Sequence, residues 1–171
     1  LGSRSILADP RDKNMQKNLN LKIKYRESFR PFAPIILEKE VSKWFDIDIK
    51  SPYMLIVSNL VDEAKTNEIG SSENKYLGLD KLKNINSKIP AGSHVDSSAR
   101  IQTINERDNG KLFKLLSKFY EKTDCPILVN TSFNVRDEPI VNTTEDAYNC
   151  FLSTDLDILV IENFYLMKED Q

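Results

Sequence analysis

Short apolar runs separated by polar turns dominate the hydrophobic pattern of the chain and predict strands. The run at 53–61 is apolar and β-branched enough to predict a strand buried on both faces. The run at 32–37 is interrupted by Pro34 and predicts the entry into a strand, and the positions at 97–104 alternate as in a strand. Further strands are predicted at 126–130, 157–161 and 164–167.

A helical period of apolar positions predicts helices between these strands. The clearest is 111–122, where the apolar residues predicted to share one face are Leu112, Leu115, Leu116 and Phe119. Thr143 precedes the acidic turn of a second helix that ends near Leu152 and is its predicted N-cap. Weaker helical spacing occurs at 13–20, where Asp12 is the predicted cap, and at 38–45.

Strands and helices mix without strict β-α-β alternation, which predicts an α/β or α+β fold with a mixed sheet. The segment 62–89 is rich in Asn, Ser, Lys and Glu and has few apolar anchors. It is predicted to be a surface insertion, and one hypothesis makes it a lid.

Composition excludes several classes of protein. The chain has 171 residues, enough for one domain with a real core, and its net charge of -2 disfavours a general nucleic-acid binder. It contains no apolar run of membrane-spanning length. Its two cysteines lie far apart and its single histidine has no Cys neighbours, so we expect no zinc site and reduced thiols, as in a cytoplasmic protein.

The segment 24–34 (KYRESFRPFAP) is a basic motif that predicts an anion site. Lys24, Arg26 and Arg30 are interleaved with aromatic residues and prolines, which stiffen and anchor the backbone. The alternative is a solvated basic face whose cations pair with Glu27. A stiff basic segment holds phosphate better than a flexible one, which favours contact with a ligand.

A second polar motif, 130–134 (NTSFN), follows the apolar residues 127–129. Hydroxyl, amide and backbone N–H groups at the end of a strand are suited to fixing the geometry of phosphates. Alone the motif could equally be an ordinary polar turn. Neither G-x-x-x-x-G-K-[ST] nor G-x-G-x-x-G occurs, so a nucleotide would have to be held by a different architecture.

Two further groups of residues give weaker indications of a functional site. His94 precedes Asp96, Ser97 and Arg100, but no G-x-S-x-G elbow supports a Ser/His/Asp hydrolase, and a lone histidine is more often structural. Arg100, in a predicted strand, requires an anionic partner. The acidic pair in 9–12 is typical of a turn and cap rather than of a metal site.

Five segments of the chain resemble the O-carbamoyltransferases of nodulation-factor, cephalosporin and aminoglycoside biosynthesis, the nodulation protein U family. The segment 1–11 resembles their G-x-R-S-I-L-A-D-P-R, and 24–34 their V-K-x-R-E-x-F-R-P-F-A-P. The other matching segments are 51–54 (S-P-[FY]-M), 94–103 (H-V-D-G-S-A-R-x-Q-T, with Ser97 in place of Gly) and 126–141 (P-[IV]-L-x-N-T-S-F-N-x-x-x-E-P-I-V).

The resemblance implies two domains in the parent protein. Residues 1–12 would be the tail of an N-terminal, Kae-like carbamoyltransferase domain that lies outside this chain and holds iron or another metal. Residues 13–171 would be a YrdC-like domain, a twisted mixed sheet flanked by helices. Its K-x-R…S-x-N signature falls on Lys24, Arg26, Ser132 and Asn134, and the resemblance makes Arg30 and Arg100 phosphate ligands.

The implied activity is ATP-dependent carbamoyl activation. ATP, with its Mg²⁺, and carbamoyl phosphate would bind at Lys24, Arg26, Arg30, Arg100, Thr131, Ser132 and Asn134, with no metal held by the protein here. The implied catalytic residues among them are Lys24, Arg30, Arg100 and Ser132. Carbamoyl-adenylate would pass to the Kae-like domain, which would transfer the carbamoyl group to a hydroxyl that the sequence does not identify.

Three alternatives to this activity stay open. A YrdC-like module can bind double-stranded RNA, or can serve in threonylcarbamoyl-adenylate synthesis, and the acidic net charge weighs against RNA. The chain could also be a catalytically silent docking domain. A homodimer of the parent protein is a further expectation that the sequence leaves open.

Overall fold

The apolar run at Ala33–Leu37 forms the middle strand of a five-stranded mixed sheet in a computed structural model that describes residues 3–66 and 85–171. The strands are β1 (Ser5–Ala8), β2 (Ala33–Leu37), β3 (Ile56–Asn59), β4 (Ser98–Ile104) and β5 (Ile127–Ser132). Their order in the sheet is β1-β5-β2-β4-β3. The β2–β4 pair is parallel and the other neighbouring pairs are antiparallel. The predicted mixed α/β fold is confirmed.

The two faces of the sheet bury different clusters, because successive residues of a strand point to opposite sides. Ile35, Leu128 and Ile104 pack against Leu112 and Leu116 of α2 (Gly110–Thr123). On the opposite face Ile36, Ile101 and Ile127 pack against the segment 38–45, where Glu38–Lys43 is a 3-10 helix rather than an α-helix. Each face of the sheet therefore carries a packed apolar cluster.

Beyond β5 the chain forms α3 (Thr144–Leu152) and a hairpin of β6 (Ile158–Ile161) and β7 (Phe164–Met167), as predicted. Thr143 caps α3 by accepting a hydrogen bond from the backbone N–H of Asp146, whose carboxylate accepts one from Thr143 N–H in return. Phe151 of α3 packs in a third core cluster with Ile6 and Val129.

The predicted helix at 13–20 is shorter and less regular than its spacing suggested. An α-helical turn, α1 (Met15–Asn18), continues into a π-helical turn at Leu19–Ile23. Asp12 does not cap this helix by its side chain; its carboxylate accepts a hydrogen bond from Asn14 N–H, 2.8 Å, in the turn that precedes it.

Two predictions about buried faces are wrong. The run at 53–61 gives only the short strand β3, which pairs with β4 on one side and has no other strand partner among the described residues. Val57 of β3 is 58% exposed, because an edge strand is not covered as a central strand is, and Leu55, just before β3, is 82% exposed. Leu115, assigned to the buried face of α2, is half exposed.

The two domain predictions stay predictions. Ser5–Ala8 lie in the same sheet as strands from the rest of the chain, paired with β5. Of the proposed insertion 62–89, residues 67–84 lie outside the described residues, while Ala64 and Ile89 at its two ends are buried in the core. No helix within the described ranges is long and apolar enough to cross a membrane.

Ser97 occupies a position where the resembling family has glycine, and its φ of 62° lies in the left-handed region. A residue with a Cβ atom is disfavoured there by about 1–2 kcal/mol, whereas glycine is not. We therefore expect Ser97→Gly to raise the free energy of unfolding by about 0.5–1 kcal/mol in urea titration. Ser97→Ala is the matched control, because it removes the hydroxyl and keeps the Cβ atom. Equal stabilisation by both variants would contradict the explanation.

Candidate functional site

A cavity of about 610 Å³ opens where β1, β2 and β4 begin and β5 ends. Strand register puts four of its lining residues, Ala33, Arg100, Gln102 and Asn130, on one face of the sheet. The same face carries the cluster under α2, so α2 covers one half of the face and the cavity occupies the other. The remaining lining residues are Ser3, Arg4, Ser5, Arg26, Pro31, Phe32, Met54, Thr131, Ser132 and Ile140.

Arg26 enters the cavity from the predicted basic motif and is held in place from two sides. Its Nε donates a 2.6 Å hydrogen bond to Asn20 Oδ1, and its guanidinium carbon lies 4.7 Å from the centre of the Phe32 ring. Asn20 is fully buried, and its Nδ2 donates to the carbonyls of Ser28 and Arg30. Partial burial, and then the charge of Arg30, lower the pKa of Arg26. The Asn20 contacts fix the motif and were not predicted.

Two more arginines line the cavity. The side chain of Arg100, in β4, makes no hydrogen bond or ion pair with any residue that the structure describes, so its guanidinium is available to a ligand. Arg4 Nη1 donates a 3.0 Å hydrogen bond to the carbonyl of Val141. The N–H groups on its other two nitrogens do not take part in this bond. Arg4 was not predicted as a site residue, although the resembling motif G-x-R-S-I-L contains it. No Asp or Glu is among the described residues that line this cavity.

Lys24 lies behind the cavity wall. It is 4% exposed, and its ammonium donates to Ser132 O (2.8 Å), Ser132 Oγ (3.3 Å), Asn134 O (2.7 Å) and Asn134 Oδ1 (2.7 Å). Burial, reinforced by the nearby charge of Arg26, lowers the pKa of Lys24 to about 8. These contacts tie the predicted basic motif to the predicted NTSFN motif, and they make Lys24 a group that orders the end of β5.

The remaining predicted residues divide between the cavity and its surroundings. Thr131 and Ser132 line the cavity. Asn134 does not; its Oδ1 accepts from Ser132 Oγ, 2.6 Å, and its Nδ2 donates to Glu138 O. Arg30 also lies outside the lining and is half exposed, and its Nε pairs with Glu27 Oε2 at 2.9 Å.

Left-handed backbone occurs at two bulky residues beside the cavity. Tyr25 has φ 48° and Met54 has φ 56°, which costs about 1–2 kcal/mol for each residue. Tyr25 Oη donates a 2.6 Å hydrogen bond to the carbonyl of Ser153 and so anchors the strained residue. Tyr25 separates Lys24, which is directed at the end of β5, from Arg26, which lines the cavity.

The side chains that gave weaker indications of a site, His94, Asp96 and Asp9, contact neighbouring protein groups. His94 Nδ1 lies 3.0 Å from Ser98 Oγ, while Asp96 accepts from Ser98 N–H, and neither His94 nor Asp96 lines the cavity. Asp9 pairs with Arg11. Among the described residues no group of three or more His, Cys, Asp and Glu side chains could hold a metal ion.

In this mixed α/β domain, a cavity lined by arginines and by no described acidic residue is suited to an anionic small molecule. Residues 1–168 match the family model described as carbamoyltransferase C-terminus, and the chain belongs to that family.

Individual relatives agree with the family match. The chain is 52% identical over 171 residues to an uncharacterized protein of Synechocystis sp., with all of this chain and 28% of that protein covered. It is 40% identical over 171 residues to nodulation protein NolO of Bradyrhizobium diazoefficiens, covering 98% of this chain and 27% of NolO. It is 32% identical over 146 residues to the 3'-hydroxymethylcephem-O-carbamoyltransferase of Amycolatopsis lactamdurans, and the match covers 85% of this chain and 24% of that protein. The chain thus spans about a quarter of the length of these relatives.

The different environments of Arg100 and Arg30 yield a prediction for anion binding. Arg100→Met is expected to weaken the binding of pyrophosphate at least about tenfold, because it removes a guanidinium that can make charge-assisted hydrogen bonds to the ligand. Arg30→Met makes the same chemical change outside the cavity lining and is expected to have a much smaller effect. Isothermal titration calorimetry at fixed salt measures both. Equal losses in the two variants would contradict the assignment of the cavity as the anion site.

The lowered pKa of Lys24 yields a second prediction. Lys24 loses its charge as the pH rises through about 8, and the end of β5 then loses the ammonium that orders it. The phosphates of ATP are already ionised in this range, since their last pKa is near 6. Affinity for ATP is therefore expected to fall about fivefold from about pH 7 to about pH 9. Lys24→Met should bind more weakly and show no such fall, and a wild-type affinity independent of pH would contradict the prediction.

Proposed function

We propose that this chain is the carbamoyl-activating part of an O-carbamoyltransferase and that it binds ATP and carbamoyl phosphate and forms carbamoyl-adenylate. One observation carries the proposal: Arg4, Arg26 and Arg100 converge on a cavity without a carboxylate in its described lining. Such an excess of positive charge is suited to phosphates. Membership of the carbamoyltransferase family gives the carbamoyl group as the second part of the substrate.

The size and lining of the cavity agree with this substrate class. A volume of about 610 Å³ lies within the range of small-molecule sites, roughly 300–1,000 Å³. Pro31, Phe32, Met54 and Ile140 contribute apolar surface that can contact a nucleoside, beside the arginines that can contact phosphates. A YrdC-like domain is the architecture that we propose for this arrangement.

The proposed reaction has two steps. Water cleaves carbamoyl phosphate into carbamate and inorganic phosphate. An oxygen of the carbamate then attacks the α-phosphorus of ATP, the bond from the α-phosphorus to the bridging oxygen breaks, and pyrophosphate leaves with that electron pair. Carbamate is short-lived in water, so an enclosed site protects it between the two steps.

The residues of this chain would act by holding charge and geometry. Arg26 and Arg100 oppose the negative charge that develops on the phosphorus oxygens and on pyrophosphate, and Arg4 adds a third guanidinium. Thr131 and Ser132 offer hydroxyl and backbone N–H groups at the same end of β5. Lys24 and Asn134 keep that end in place through their contacts with Ser132.

Magnesium fits this site as an ion that arrives with ATP. Mg²⁺ is usually held by phosphate oxygens, waters and one or two protein oxygens, and the cavity offers hydroxyl and amide oxygens but no described carboxylate. Its chemistry would be to neutralise charge on the ATP phosphates.

The transfer step would need the rest of a longer protein. The relatives are about four times as long as this chain, which covers 28% of one and 27% of another. We propose that a Kae-like domain of the same parent accepts carbamoyl-adenylate and carbamoylates a hydroxyl group.

The test is release of pyrophosphate from Mg-ATP by this chain with and without carbamoyl phosphate. Release that requires carbamoyl phosphate is the expected result. Lys24→Ala and Ser132→Ala should each lower it at least about tenfold, because each removes a contact at the end of β5. Lys118→Ala, on the exposed face of α2, is the control and should leave it unchanged.

Other outcomes select the alternatives. Binding of ATP without release would show that the rest of the longer protein completes the site. Absence of both ATP binding and pyrophosphate release would favour a docking module. Salt-dependent binding of RNA, without ATP binding or pyrophosphate release, would favour the RNA-binding function.

A further inference from the structure

Two buried amides form a hydrogen-bonded chain along the floor of the cavity. Asn130 and Gln102 are 5% and 3% exposed, and both line the cavity. Asn130 Nδ2 donates to Gln102 Oε1 at 2.6 Å, and Gln102 Nε2 donates to the carbonyl of Pro52 at 3.1 Å.

The carbonyl of Pro52 fixes which atom donates and which accepts in these two hydrogen bonds. The carbonyl of Pro52 can only accept a hydrogen bond, so Gln102 must present Nε2 to it and Oε1 to Asn130. Asn130 must then present Nδ2 to Gln102, which leaves Asn130 Oδ1 as the atom that no other described residue contacts by a hydrogen bond. The loop that carries Pro52 is itself fixed to β4, since Ser51 Oγ donates to Ile101 O and Ser51 N–H donates to Thr103 Oγ1.

Asn130 Oδ1 is not among the buried unpaired atoms of the described residues, so in the free protein it faces the cavity and the water there. A ligand group that displaces this water must donate a hydrogen bond in its place, or the acceptor is left unpaired at a cost of about 1–3 kcal/mol. Asn130 Oδ1 differs from the charged groups that line the cavity, the arginines, because it is a neutral acceptor and they are donors. The arginines select an anion, but the acceptor cannot bind one. Asn130 Oδ1 is instead suited to a part of the ligand that carries an N–H or O–H group.

The arginine end of the cavity and the pair of buried amides lie two residues apart along the strands. Arg100 and Gln102 are two residues apart on β4, and Ser132 and Asn130 are two residues apart on β5. Two residues along a strand span about 7 Å on the same face. The cationic end and the amide chain can therefore contact the two ends of one small molecule, with a phosphate at one end and a hydrogen-bond donor at the other.

We propose that Asn130 is a specificity-determining residue whose Oδ1 accepts a hydrogen bond from the NH₂ of the carbamoyl group. This inference rests on the proposed binding of carbamoyl phosphate and adds the atom that distinguishes it from other acyl phosphates. Acetyl phosphate carries a methyl group in place of the NH₂ and leaves Asn130 Oδ1 unpaired. Discrimination of this kind is strong when a site is built to pair with a group that the competitor lacks.

The experiment compares two stable phosphonates that differ only at this group. Phosphonoacetamide carries the NH₂, and 2-oxopropylphosphonate carries a methyl group in its place. Wild-type protein is expected to bind the amide roughly tenfold more tightly by isothermal titration calorimetry. Asn130→Leu, which keeps a similar volume without an acceptor, should lose this preference. Its affinity for pyrophosphate should remain, which reports an intact cation site.

Gln102→Leu is the second variant, and it leaves Asn130 in place. Without Gln102 the amide of Asn130 can turn either way, so the preference for phosphonoacetamide should shrink while pyrophosphate still binds. This variant decides the matter if Asn130→Leu fails to fold.

The outcomes separate the inference from the proposed function. Equal affinity of wild-type protein for the two phosphonates would overturn the role of Asn130 and leave the anion site standing. A preference retained by both variants would also overturn it. Failure of wild-type protein to bind either phosphonate, pyrophosphate or ATP would instead overturn the proposed function.

Discussion

The pairing of β2 with β5 on one side and with β4 on the other is the constraint on which the cavity depends. It brings Asn130 of β5 and Gln102 of β4 to the same face, with Ala33 of β2 between them. The small side chain of Ala33 leaves room for the two amides to meet at 2.6 Å. The same register directs Ile35 and Leu128 toward α2, so the packing that stabilises the sheet also fixes the floor of the site.

Charge is distributed unevenly around this floor. The arginines of the cavity have polar or aromatic supports, Asn20 and Phe32 for Arg26 and the Val141 carbonyl for Arg4, rather than carboxylates. A carboxylate partner would neutralise a guanidinium before a ligand arrived, whereas an amide or a carbonyl orients it and leaves its charge in place. The left-handed backbone at Tyr25 serves the same arrangement, because it separates a buried lysine from a cavity-lining arginine within three residues.

Local sequence patterns gave most of the elements, and the failures have physical causes. The α3 cap at Thr143 and the period of α2 depend on neighbouring residues and were predicted correctly. The exposure of Leu55 and Val57 depends on where β3 lies in the sheet, which a run of apolar residues does not encode. For the site, the two motifs and Arg100 could be selected from residue chemistry or resemblance. The contacts of Arg4, of Asn20 and between Asn130 and Gln102 could not be predicted, because they join segments that are distant in the sequence.

The sequence by itself determined a mixed α/β chain with a basic motif, a polar motif at a strand end and a resemblance to carbamoyltransferases, because these properties reside in short stretches of residues. Only the tertiary structure decided what each residue of those motifs does. Lys24 and Arg26 are two residues apart and chemically similar, yet Lys24 is buried against Ser132 and Asn134 while Arg26 lines the cavity. Arg30, from the same motif, pairs with Glu27 outside the lining. The reason is that burial and pairing, which fix the availability of a charge to a ligand, are set by strands and helices far away in the sequence.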